Sequence, residues 1–274
     1  MPVITHIRAG QQKDYYDIDV RQSDEKTVTL NVHEDVLVHN ELRKGLEISE
    51  EQLDQLVSEA GSIGAYLAGV HYLSYRMRSL REMQNYLKKK GFHAGQIDYA
   101  LQRLQSEKLL DDQAFAASFV RTRIRLSTKG PKMIYRELLQ AGVDQSIAEE
   151  EAERLYPVDL QLAHARKYLR KKLTSVKKKK SLSEAAQVLS RLLTQRGYSR
   201  EITVRVIGEI GSFLAENERD ALVYRGEKAL QKYKKYTGDE FVRKVRYDLY
   251  RRGFPADEIE SFLSGHLNGN GSGE

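Results

Sequence analysis

Arg121, Arg123 and Arg125 run into Thr128-Lys129-Gly130-Pro131, where a proline marks the start of a helix. Guanidinium groups beside the free backbone N–H groups of a helix N-terminus suit a phosphate or a carboxylate surface. The same chemistry recurs along the chain. Residues 76–90 hold Arg76, Arg78, Arg81, Lys88, Lys89 and Lys90 against one acid, Glu82. Residues 113–136 contain no acid and add Lys129, Lys132 and Arg136 to the three arginines. Between 164 and 180 stand Arg166, Lys167, Arg170, Lys171, Lys172 and the run Lys177 to Lys180, again without an acid. Residues 225–252 supply ten basic residues against four acids. Charge of one sign this dense repels itself unless an anion neutralises it.

Catalysis leaves no comparable trace. The chain has no P-loop, GxGxxG, HExxH or GxSxG motif. Its seven histidines show no ligand spacing, and with no cysteine there is neither a thiolate metal site nor a cysteine nucleophile. Asp111-Asp112 reads as acid at a helix N-terminus, favoured by the dipole, rather than as a metal site. His33-Glu34-Asp35 reads as the solvated end of a strand. The expectation is a protein that is not an enzyme and needs no cofactor or metal.

Composition narrows the class further. The 274 residues are 40% hydrophobic and 31% charged, wet but not disordered. The N-terminus lacks a signal-peptide profile, and no apolar run approaches the roughly 18 residues of a membrane span. These features predict a soluble cytoplasmic monomer with no membrane partner. The formal net charge of +6 conceals an asymmetry, because residues 1–67 hold six basic and thirteen acidic residues, leaving +13 on the remainder. An acidic head on a basic body points to a polyanionic partner.

The elements that must carry these charges are of two kinds. In 13–21, Tyr16, Ile18 and Val20 alternate with polar residues, as do Val28, Leu30 and Val32 in 26–33, which predicts strands with one buried face. Residues 23–26 make the turn between them, and Val3, Ile4 and Ile7 suggest a third strand. Ser49 and Gln52 form a capping box for a short helix with Leu53, Leu56, Val57 and Ala60 as its stripe, closed by Gly61.

From residue 62 a repeat takes over. Gly91, Gly142, Gly197 and Gly253 are spaced by 51, 55 and 56 residues. Four residues before each stands Leu87, Leu138, Leu193 or Leu249; eight before, Met83, Ile134, Leu189 or Val245; and just after, Phe92, Val143, Tyr198 or Phe254. Glycine at C′ can take the left-handed conformation that ends a helix, and leucine at C3 with an apolar C″ is the pair that accompanies a Schellman cap. Ser79/Glu82, Ser181/Glu184 and Thr237/Glu240 read as capping boxes at the starts, and Pro131 as N1. Cap to glycine is 12 residues in the first two units and 16 in the last two, so the later helices should be one turn longer. Asp112, Asp159 and Asp220 begin helices that precede three of the capped ones. A helix with Ile97, Leu101 and Leu104, or Ile202, Val206 and Ile210, follows the glycine.

The fold class is therefore mainly α, an elongated tandem array of three-helix repeats with a small N-terminal β-rich domain. The expected boundaries are 1–61 for the acidic β-rich head, 62–110, 111–157, 158–217 and 218–267 for the four repeats, and 268–274 for a flexible tail. Tyrosines, 16 in all with Tyr72, Tyr75, Tyr86 and Tyr99 in the first repeat, could stack on bases, but at helical spacing they read mainly as core and rim. Two classes of function remain: a nucleic-acid-binding module, or a regulator that docks on a nucleoprotein or acidic protein surface.

The residues HYLSYRMRSLREMQNYLKKKGF (71–92) and IDYALQRLQSEKLLDDQAFAASFVRTRIRLSTKGPKMIYRELLQAGV (97–143) resemble the RecX family, the regulators of the RecA recombinase. The likeness continues more weakly to about residue 265, and EDVLVHNELRKGLEIS (34–49) is similar to the N-terminal extension of the longer Gram-positive members. The resemblance implies tandem three-helix repeats that bind the RecA–single-stranded DNA filament and lower its ATPase and strand exchange, in homologous recombination, DNA repair and the SOS response. It assigns the binding role to Arg76, Arg78, Arg121, Arg123, Arg125 and Lys132. The basic clusters extend the expected filament- or nucleic-acid-binding set to Lys88, Lys89, Arg166, Lys167, Arg170 and Lys171. The partners implied are the RecA filament and single-stranded or double-stranded DNA. Neutralising Arg121, Arg123 and Arg125 together is expected to weaken filament binding and leave the fold intact.

Overall fold

The structure is a computed structural model that describes residues 1–22, 26–176, 180–215 and 218–268. Residues 23–25 of the turn expected at 23–26, residues 177–179 of the run Lys177–Lys180 and the tail 269–274 lie outside the described residues. The chain divides into two compact units: residues 1–118 with 138–148, and residues 119–137 with 149–274.

The first unit opens with β1 (Val3–Ala9), β2 (Tyr15–Arg21) and β3 (Thr27–His33) in an antiparallel meander, ordered β1-β2-β3. Ile18 lies opposite Leu30 and Val20 opposite Val28, so the alternating apolar residues share a face. Asp19 breaks the pattern, buried on the other face, where it accepts both Arg8 Nη2 (2.9 and 3.1 Å) and Thr29 Oγ1 (2.7 Å). A buried carboxylate needs such partners. The polar residues expected to end β3 in solvent instead start a short helix, α1 (Glu34–His39), capped by His33 Nδ1, which accepts from the Asp35 N–H at 3.2 Å.

The next helix corrects a second expectation. Ser49 and Gln52 make the full reciprocal capping box, but α2 (Glu50–Tyr75) does not stop at Gly61 and runs 26 residues. Gly61 is not left-handed, and a Cβ on it would lie 1.8 Å from Nε2 of Gln96, the end of a flexible side chain. One helix therefore serves two cores. Leu53, Leu56 and Ile63 pack with Ile4, Ile18, Val20, Val32 and Val36 of the head. Ala65 and the residues after it pack with Met83 and Leu87 of α3 (Leu80–Lys89) and Ile97, Leu101 and Leu104 of α4 (Ala94–Ser106). The boundary expected between 61 and 62 falls inside this helix.

Beyond residue 62 the described residues are helical throughout, in α5 (Asp112–Leu126), α6 (Pro131–Gln140), α7 (Gln145–Arg154), α8 (Val158–Val176), α9 (Leu182–Gln195), α10 (Arg200–Ala215), α11 (Glu218–Tyr233), α12 (Gly238–Arg251) and α13 (Ala256–Asn268). The capped helices α3 and α6 have 10 residues and α9 and α12 have 14, the extra turn that the spacing predicts. All four end alike. Gly91, Gly142, Gly197 and Gly253 have φ of 93, 87, 91 and 82°. The N–H after each glycine donates to the carbonyl of Leu87, Leu138, Leu193 or Leu249 at 3.1–3.4 Å, the long bond of a Schellman cap. The leucine and the apolar residue one turn before it are fully buried in every copy. Asp112, Asp159 and Asp220 fall in the first turns of α5, α8 and α11.

The starts are less uniform. Ser79 makes the complete box with Glu82, and Ser181 accepts from the Glu184 N–H. Thr237 occupies the cap of α12 but makes no side-chain cap bond, because the left-handed Gly238 (φ 56°) after it brings the chain in by another path.

Candidate nucleic-acid interface

The ends of the capped helices do more than stop them. Ser79, the cap of α3, donates through Oγ to the Ala141 carbonyl, one residue before Gly142. Ser181, the cap of α9, donates in the same way to the Arg252 carbonyl, one residue before Gly253. At α6, where Gly130 replaces the serine, its backbone N–H donates to the Arg196 carbonyl before Gly197 at 2.8 Å. Thus the start of one repeat's second helix is joined three times to the end of the next repeat's second helix. Two carboxylates reinforce the pattern: Asp112 accepts from the Leu80 N–H (2.7 Å) and Glu218 from the Leu182 N–H (3.0 Å). Burial raises the Asp112 carboxyl above its ordinary value despite that bond.

This joint overturns the phosphate cradle expected at the start of α6. The Lys132 N–H donates to Gly197 O at 3.2 Å, and those of Met133 and Ile134 turn back to Gly130 O. A Cβ on Gly130 would sit 2.5 Å from the Gly197 carbonyl carbon. The N–H groups that the sequence left available for an anion are thus occupied, that of Lys132 by the distant Gly197 turn and those of Met133 and Ile134 locally.

Four of the twelve expected contact residues are engaged within the fold. Arg76 makes a bidentate pair with Glu82 (2.9 and 3.0 Å). Arg78 lies 3.9 Å over the Tyr72 ring, which stacks at 3.9 Å on Tyr86, so these tyrosine faces are taken. Arg166 is bidentate to Glu209 (2.6 and 2.7 Å), whose carboxyl is held below the ordinary glutamate value by those bonds. Arg123, expected on the free surface beside Arg121 and Arg125, donates to Glu137 at 2.6 Å and stacks 4.3 Å over Phe119. Burial would raise the Glu137 carboxyl, but Lys129 and Arg123 outweigh it and hold it below its ordinary value. Triple neutralisation that includes Arg123 would therefore also remove an ion pair and a ring contact internal to the fold.

The other eight, Lys88, Lys89, Arg121, Arg125, Lys132, Lys167, Arg170 and Lys171, are exposed, and none has an ion-pair partner among the described residues. Helical geometry brings some of them together. Lys167, Arg170 and Lys171 stand at i, i+3 and i+4 on the side of α8 opposite the buried Leu162, Ala165 and Leu169. Arg121 and Arg125 share a face of α5. Like charges at i, i+4 cost about 0.2–0.5 kcal/mol per pair in the absence of an anion. Lys88 and Lys89 lie in the last turn of α3, where cations complement the dipole, and Lys132 lies in the first turn of α6.

No metal centre competes with this reading. Among the described residues no group of three or more His, Asp or Glu is placed to hold an ion. Asp111 accepts from the N–H groups of Gln113 and Ala114 (2.8 and 2.9 Å), the capping role expected of it. His164 Nδ1 lies 2.8 Å from the buried Tyr156 hydroxyl, and its pKa is lowered by burial and by Lys167. No described helix is long and apolar enough to cross a membrane.

Known proteins resemble this chain in sequence and fold. Residues 65–104 match the family model of the first three-helix domain of RecX, and residues 111–150 that of the second. The chain is 36% identical over 267 residues to a regulatory protein RecX of Halalkalibacterium halodurans, covering 96% of this chain and all of the relative. It is 38% identical over 239 residues to that of Oceanobacillus iheyensis, covering 86% of this chain and 87% of the relative. A crystal structure of regulatory protein RecX superposes with a TM-score of 0.65 at 29% identity, covering 75% of this chain and 98% of that one. RecX from Lactobacillus salivarius gives 0.52 at 29% identity, over 55% of this chain and 96% of that one. Coverage of 96% reaches into the β head, beyond the repeats in which the sequence likeness is plainest. The chain belongs to the RecX family of regulatory proteins.

Proposed function

We propose that this protein binds the RecA–single-stranded DNA filament and lowers its ATPase and strand-exchange activity, acting in the cytoplasm as a monomer, without a cofactor and without chemistry of its own. The observation that carries the reading is the set of eight exposed, unpaired cations spread over three successive repeats. A base-specific reader would concentrate its cations on one recognition helix. A filament offers phosphates and acidic protein surface at regular intervals, and a series of like-jointed modules suits such a lattice. The relatives' name, regulatory protein RecX, fits this role.

The test is a titration of the protein into a RecA ATPase assay driven by single-stranded DNA at fixed salt. Inhibition well below one protein per RecA monomer is the expected result. Inhibition only once the protein saturates the DNA would mean competition for DNA by a stand-alone binder. That alternative carries a salt slope of about −0.7 per phosphate neutralised. Absence of inhibition would sink the reading.

A further inference from the structure

Helix α12, within the basic stretch 225–252, carries a surface that the twelve expected contact residues do not include. Its buried side is Val245 and Leu249. On the opposite side Arg243, Tyr247, Tyr250 and Arg251 form one outward stripe, since these positions fall within about a third of a turn of each other at 3.6 residues per turn. Tyr247 and Tyr250 are 61% and 65% exposed, and neither ring pairs with another ring among the described residues. Arg243 and Arg251 are exposed and without an ion pair among the described residues; the Arg251 guanidinium lies 5.9 Å from the Tyr247 ring centre.

Several of the other tyrosines use their rings differently. Tyr72 and Tyr86 stack on each other, Tyr156 and Tyr198 are buried, and Tyr75 sits edge-on to His71. Of the acids near the stripe, Glu240 is paired with Lys244, Asp248 with Arg252 and Lys232, and Glu260 with Arg246, which leaves Asp239 in the first turn. The stripe thus carries two unpaired arginines interleaved with two exposed rings.

We infer that this stripe is a stacking platform for the unpaired bases of a single-stranded nucleic acid. The chemistry selects that partner. Arginines attract a phosphate backbone of either strandedness, but an exposed flat ring gains from a base only if the base is not already stacked in a duplex. An acidic protein surface would use the arginines and leave the rings in water. The inference rests on the reading that the protein works on single-stranded DNA, and it adds where the bases are met.

The experiment uses the full chain and a fluorescently labelled oligothymidylate, with a duplex of the same length in parallel, followed by anisotropy. The Tyr247→Ala/Tyr250→Ala chain should bind the single strand at least about tenfold more weakly, given the usual strength of base–aromatic stacking. Its duplex affinity and its salt slope should stay as in the wild type, since no charge is lost. Tyr247→Phe/Tyr250→Phe, which keeps both rings, should restore single-strand binding to within about twofold. Far-UV circular dichroism checks that the alanine chain is folded. Single-strand affinity unchanged in the alanine chain, or lost equally on single strand and duplex, overturns the inference. So does a wild-type chain that binds no oligonucleotide by itself; if that chain still inhibits the RecA ATPase, the proposed function stands without the platform. If the alanine change weakens inhibition of the filament but not oligonucleotide binding, the stripe is a protein-docking surface and the inference fails.

Discussion

Replacing Gly197 by alanine probes the joint between repeats, and Gly91 provides the control. Both glycines end a helix with φ near 90°, at 91 and 93°. Left-handed backbone costs an L-residue roughly 1–2 kcal/mol. That is the whole penalty expected of Gly91→Ala, because a Cβ there meets nothing within 4 Å. At Gly197 the Cβ would lie 2.5 Å from the Met133 amide nitrogen and 2.9 Å from the Met133 Cβ. Relief requires the two segments to part, with loss of the bonds from Gly130 N–H to Arg196 O (2.8 Å) and from Lys132 N–H to Gly197 O (3.2 Å). At about 0.5–1.5 kcal/mol each, these bring Gly197→Ala to about 2–5 kcal/mol. Gly253→Ala should fall between the two, since its Cβ would meet the Ser183 Cβ at 3.0 Å, a side-chain contact that can give. Urea unfolding followed by far-UV circular dichroism measures all three, there being no tryptophan to follow. Equal midpoint shifts for Gly91→Ala and Gly197→Ala would refute the joint as an energetic contact.

Arg123→Ala should cost about 1 kcal/mol through loss of the Glu137 pair and the Phe119 stack, whereas Arg121→Gln should stay within about 0.5 kcal/mol. Comparison of the two urea midpoints decides this. Ser181→Ala removes both the cap bond to the Glu184 N–H and the bond to Arg252 O and should cost about 1–3 kcal/mol, while Thr237→Ala, which loses no cap bond, should be nearly neutral; thermal melts separate them. The depressed His164 pKa means that the unfolded chain binds a proton more readily than the folded one. The corresponding stability is present above the ordinary histidine value of 6.5 and is lost as pH falls through the lower folded value. Unfolding free energy measured from pH 7.5 to 5 should fall at the acid end, and His164→Gln should flatten that part of the curve.

The helical repeat was legible because one device, the Schellman end, demands three residue types at fixed offsets: leucine at C3, glycine at C′ and an apolar residue at C″. A pattern of that kind survives divergence elsewhere in the repeats. Gly61 was misread because a glycine after an apolar stripe resembles a helix end, whereas its φ is not left-handed and α2 runs on through it. Helix α1 escaped because it has six residues and a histidine for its cap. The basic clusters were visible as charge, but their division was not. Arg123 is taken by Glu137, one residue beyond the acid-free stretch, on the next helix, and Arg166 by Glu209, forty-three positions on. The Lys132 N–H at the start of α6 is taken by Gly197 O, which no local pattern could pair with that helix. Long-range partners decide which cations stay available.

That division gives the most direct test of the account, whose central claim is that the unpaired cations hold the protein on the filament. The Lys167→Gln/Arg170→Gln/Lys171→Gln chain removes three adjacent cations from one face of α8 without touching an ion pair of the fold. Titrated into the single-stranded-DNA-dependent RecA ATPase beside the wild type, and with an unchanged circular-dichroism melt, it should need several-fold more protein for half inhibition. A triple variant that is folded and inhibits as well as the wild type would contradict the claim.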